Sequence, residues 1–76
     1  MDELDKIKAR YLAVLPKIAT VDLRRNPTLL AEIQLLLRDI SVFLEKNRKK
    51  PRTAQILAQN DQVLKFREYL LRQLPT

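Results

Sequence analysis

Apolar residues recur along the chain at steps of three and four, the spacing of one face of a helix and not the alternation of a strand. Leu4, Ile7, Tyr11, Val14 and Ile18 form the first such stripe, widened by Leu15. Leu29, Ile33, Leu36, Leu37, Ile40, Phe43 and Leu44 form the second. Ile56, Val63, Phe66, Leu70 and Leu74 form the third, which Leu57, Leu64 and Leu71 broaden. Four prolines punctuate the pattern, at Pro16, Pro27, Pro51 and Pro75. The economical solution is an all-α chain of three helices, over about 2–19, 27–47 and 53–74, joined by short turns as an up-down-up antiparallel three-helix bundle.

The residues at the ends support these boundaries. Asp2 can cap the first helix, and Asn26-Pro27 pairs an N-cap with a proline at the first helical position. Thr53 can cap the third helix. Asn47, followed by Arg48 and Lys49, suits a helix end, because Asn tolerates the left-handed conformation that Gly usually supplies and cations suit the negative pole. Two places are weak. Pro16 lacks the N–H its turn would use, so a kink or a stop and restart is expected there. Gln59-Asn60-Asp61 could break the last helix near Asn60, although continuity is the simpler expectation.

Composition then narrows the function. The 76 residues, read as one domain over 1–76, contain no Gly, Cys, His or Trp. An average chain of this length would carry roughly five Gly, so their absence favours helices with tight turns. Without His or Cys there is no imidazole base, thiolate nucleophile or soft metal site, and without Gly no phosphate-cradling loop. The carboxylates are scattered and mostly paired with bases at helical spacing, so no catalytic residue, metal, cofactor or small-molecule substrate is expected. No uncharged run approaches the ~20 residues that cross a membrane, and the acidic start is unlike a secretory leader. An intracellular, soluble protein is expected on these grounds. The missing residue types also fit a designed helical binder or scaffold, although Pro16 and the lack of Gly caps run against idealised design.

Charge supplies one candidate surface. Of the net +6, five positive charges lie at Lys46, Arg48, Lys49, Lys50 and Arg52, leaving +1 for the rest of the chain. Such a cluster can contact nucleic-acid phosphates, and Lys49-Lys50-Pro51-Arg52 matches a short basic nuclear-import pattern. It can equally serve the helix end and solubility. Reading Ala54 to Leu71 as a helix-turn-helix would turn Gln62, Lys65 and Arg67 toward DNA, but the usual turn Gly is missing.

The second helix supplies the other. At 100° per residue, Ala31, Leu35 and Val42 fall opposite its main stripe, edged by Glu32 and Asp39. Either the helix lies between its neighbours and covers both sides, or this strip receives another protein or closes a homodimer. Tyr69 and Tyr11 are additional anchors, since amphipathic aromatics favour interfaces. The leading expectation is a non-catalytic protein-binding module using Ala31, Glu32, Leu35, Asp39, Val42 and Tyr69. The alternative is a nucleic-acid-associated domain using the basic turn.

Overall fold

The computed structural model describes residues 2–75. Three helices, α1 (Glu3–Thr20), α2 (Pro27–Arg48) and α3 (Ala54–Gln73), form an antiparallel bundle measuring 42 × 25 × 15 Å. A single 3-10 turn, Leu23–Arg25, interrupts the first connection. Helix α2 is the middle element and packs along both neighbours, whereas α1 and α3 meet over a short stretch. The bundle is consequently broad and thin.

Local chemistry accounts for each helix start. Asp2 accepts from the Asp5 amide at 2.8 Å, Asn26 from Leu29 at 3.0 Å and Thr53 from Ile56 at 3.2 Å, each satisfying an amide that the helix itself leaves free. Asp22 likewise accepts from Arg24 at 3.0 Å and starts the 3-10 turn. That turn carries Leu23 into the core. Sequence periodicity treats Leu23 as part of a connector, because one apolar residue between charged ones has no period.

Packing follows a step of four and three. On α2 the buried residues are Leu29, Ile33, Leu36, Ile40, Phe43 and Asn47, the a/d rhythm of coiled-coil seams. Ile7 and Val14 of α1 and Val63 and Leu70 of α3 close on them, with Leu4, Tyr11, Ile18, Phe66 and Leu74 packed around the edge. Leu37 and Leu44 are only partly buried. Tyr11 joins α1 to α3, stacking on Phe66 at 4.1 Å between centroids and receiving Tyr69 edge-on at 6.2 Å.

The structure corrects several expectations. Helix α1 passes through Pro16 without a break, whereas α3 is continuous across Gln59-Asn60-Asp61 as expected. A helix-turn-helix over Ala54 to Leu71 is therefore excluded. Asn47 does not end α2 in a left-handed conformation: no described residue has positive φ, and Lys49 caps the helix at φ −84°. Leu57, Leu64 and Leu71 do not widen the core. They are 51%, 44% and 48% exposed, because neither α2 nor α1, the two helices packed on α3, covers that flank.

Candidate interaction surfaces

The α1–α2 seam carries a ladder of three ion pairs, Glu3–Lys46 at 2.7 Å, Arg10–Asp39, and Lys17–Glu32 at 3.7 Å. Residues advance by seven on α1 and retreat by seven on α2, so each rung joins positions whose numbers sum to the same value. That is the signature of two antiparallel helices in fixed heptad register. Glu32 and Asp39 thus face α1, and their charge is already matched. Such half-exposed pairs contribute about 0–1 kcal/mol apiece, so the ladder selects register more than it adds stability.

Beyond this ladder, Leu35 and Val42 remain 54% and 45% exposed, and Ala31 is exposed beside them. The strip is interrupted rather than continuous. Leu35 lines a hollow of about 210 Å³ with Arg10, Ala13 and Lys17, while Val42 lines a separate one of about 230 Å³ with Glu3, Lys6 and Lys46. Tyr69 lies elsewhere, on the α1 side of α3, where its ring meets Tyr11. The structure therefore does not bring Tyr69 together with the α2 residues.

A longer apolar surface lies on the other flank. Leu57, Leu64 and Leu71 form a row on α3 with a seven-residue step, and Asn60 and Arg67 stand between them at the i+3 positions. Across a furrow stands Leu44 of α2, preceded on the same helix face by Leu37 and Leu30. One section, a hollow of about 460 Å³, is lined by Leu44, Asn47, Arg48, Arg52, Ile56, Leu57, Asn60, Asp61 and Leu64. The heptad step of these leucines was available in the sequence. It reads equally well as the edge of a core stripe, and only the number of neighbouring helices separates the two.

At the end of the furrow nearest the α2–α3 turn lies a buried polar layer. Asn47 is 2% exposed, and its Nδ2 donates to Asn60 Oδ1 at 3.0 Å and to Gln59 Oε1 at 3.4 Å. Its own Oδ1 has no partner among the described residues. The Gln59-Asn60 pair, which marks a weak helix in sequence, thus supplies acceptors to an amide on the neighbouring helix.

The basic turn presents a divided charge. Lys46 is tied to Glu3 and Arg48 to Glu45, at 2.7 and 2.8 Å. Lys49, Lys50 and Arg52 are exposed and form no ion pair among the described residues. On α3, Asp61–Lys65 and Glu68–Arg72 pair at the i,i+4 spacing expected from the sequence.

Among the described residues, no group of three or more acidic, His or Cys side chains could hold a metal ion, and no helix is long and apolar enough to cross a membrane. Comparison with protein-family models, curated proteins and solved structures finds no match.

Proposed function

We propose that this chain is a non-catalytic protein-interaction module that receives a helix of its partner along an exposed apolar row. The observation that carries the proposal is the row Leu57, Leu64 and Leu71, three large side chains about half exposed on one helix face. Exposed leucines scattered singly need no explanation, but a heptad-spaced row beside a furrow is the form that helix-in-groove recognition uses. Covering the exposed half of each leucine would contribute about 1 kcal/mol, so the three together are worth several kcal/mol before the costs of association. The Ala31, Leu35 and Val42 strip on α2 is the smaller candidate of the same kind.

The test compares two single variants in an isotope-labelled protein titrated with a panel of synthetic amphipathic helical peptides and followed by amide chemical shifts. Leu64→Lys is expected to abolish binding, with shifts in the wild type confined to α3 and the end of α2. Leu35→Glu is expected to leave it intact. The opposite pattern moves the site to α2, and no binding by any peptide to a monomeric chain removes the proposal.

A second function rests on Lys49, Lys50 and Arg52, whose charge no acid among the described residues neutralises. In this version the turn holds nucleic-acid phosphates. Titration with short duplex and single-stranded DNA and RNA at two salt concentrations tests it, since phosphate binding weakens steeply with salt. Lys49→Glu with Lys50→Glu should then remove nucleic-acid binding, whereas Leu64→Lys should leave it intact.

A further inference from the structure

Resting on the docking row just described, we infer that the α2–α3 furrow takes an acidic amphipathic helix of another polypeptide, about four turns long. Three features of the furrow select this occupant. The first is its period. Leucines seven residues apart on α3 stand about 10.5 Å apart along the axis, at 1.5 Å per residue. A second helix repeats its own knobs at the same interval, whereas an extended strand repeats one face about every 6.7 Å and falls out of step after one contact. From Leu57 to Leu71 the row spans about 21 Å, which sets the length of the docked helix.

The second feature is charge. Both carboxylates beside the row are already engaged, Asp61 by Lys65 at 3.1 Å and Glu68 by Arg72. Arg67, which stands between Leu64 and Leu71, and Arg52, which lines the furrow's mouth, have no acidic partner among the described residues. Lys49 and Lys50 lie just beyond. The uncompensated charge along the furrow is therefore positive at its middle and at its end. A helix with carboxylates flanking its apolar stripe is attracted there, and a lysine-rich helix is repelled.

The third feature argues against a second copy of this chain. Each copy carries a net +6, and its row brings Arg67 and the free cations of the turn with no free carboxylate to meet them. Self-pairing through this row would set like charges against each other. A foreign acidic helix meets the same row without that conflict.

The experiment uses the intact chain and two dye-labelled synthetic peptides of about sixteen residues, long enough to span the row. Both carry leucines at steps of three and four, one with Glu and the other with Lys at the flanking positions. Fluorescence anisotropy reads affinity at low and at raised salt, and sedimentation velocity reads the mass of the chain alone. The Glu peptide is expected to bind on the order of tenfold tighter or more than the Lys peptide, with the gap shrinking as salt rises. Leu64→Lys should abolish binding, and Arg67→Glu should weaken the Glu peptide several-fold while strengthening the Lys peptide. Leu57→Ser, also at an exposed position, repeats the apolar test should Leu64→Lys fail to fold. Equal or tighter binding of the Lys peptide overturns the acidic partner while leaving a helix-binding row in place. A dimer that Leu64→Lys dissociates overturns the foreign helix in favour of a second copy. Failure of both peptides against a monomer overturns the acidic helix, and the proposed function with it if the wider panel of peptides also fails.

Discussion

Asn47 and Asn60 face each other across the α2–α3 seam, the Nδ2 of the first donating to the Oδ1 of the second over 3.0 Å from a nearly solvent-free position. The bond is one-sided, since Asn47 Oδ1 finds no partner among the described residues. An amide at an a-type position costs stability and fixes the pairing of the helices around it. The two residues should consequently respond in opposite directions to the same substitution. Asn47→Leu removes a buried oxygen without a partner and leaves Gln59 and Asn60 partly open to water, so chemical denaturation should show a gain of roughly 1–2 kcal/mol. Asn60→Leu takes away the better acceptor and strands the buried amide, with a loss of about 1–3 kcal/mol. Equal effects in one direction would mean that the layer is ordinary packing.

The core of α2 makes a sharper contrast. Ile33 and Ile40 are fully buried, while Leu35 on the same helix is largely open. Ile33→Ala or Ile40→Ala should cost about 2–5 kcal/mol. A domain of this size usually holds only about 3–5 kcal/mol in reserve, so thermal melts of either variant should begin near room temperature or be absent. Leu35→Ala should stay within about 0.5 kcal/mol of the parent. A large effect at Leu35 would show that its face is covered in solution.

The helix starts were legible in sequence because they are local: Asp2, Asn26 and Thr53 each serve an amide three residues onward, and nothing distant alters that geometry. The central stripe of α2 was legible for a similar reason, being set by helical period alone. The rest depends on which helices become neighbours. Glu32 and Asp39 read as the rim of an open strip until α1 arrives with Lys17 and Arg10 in register. Gln59 and Asn60 read as a weak point of the last helix until the turn folds back and brings Asn47 beside them. Leu57, Leu64 and Leu71 lie on the edge of the α3 stripe, and their burial would need another helix on that flank. Long-range partners, not local propensity, separate the two descriptions in each case.

The ion-pair ladder predicts a reciprocal rescue. Arg10 and Asp39 form its middle rung, so Arg10→Asp alone sets two acids together and Asp39→Arg alone sets two cations together. Each should destabilise by up to about 1 kcal/mol at low ionic strength. The double exchange should recover most of that loss. In about 1 M salt, where screening reaches about 3 Å, the coupling measured by the double-mutant cycle should fall toward zero. A coupling indifferent to salt would assign the effect to side-chain packing.

Tyr11 supplies a dependence on alkaline pH whose sign follows from its surroundings. Its ring lies nearly parallel to Phe66, at 16° and 4.1 Å, with the edge of Tyr69 on another side. Burial first, and then the neighbouring Tyr69 phenol, raise the Tyr11 phenol above its ordinary value of 10.0. The folded chain therefore holds this proton more tightly than the unfolded chain does. Below the ordinary value both states are protonated, and the contribution to stability is fully present. As pH rises past 10.0 the unfolded chain gives up the proton first, and stability falls until the folded-state value has also been passed. Tyr11→Phe keeps the stacked ring and removes the titrating group, so its stability should decline less steeply over that window than the parent's. Phenolate absorbance followed against pH should likewise lose, in the variant, the component that the parent shows above 10.0. A parent whose Tyr11 phenol titrates at the ordinary value would show that this side chain is more open to water than its place between α1 and α3 requires.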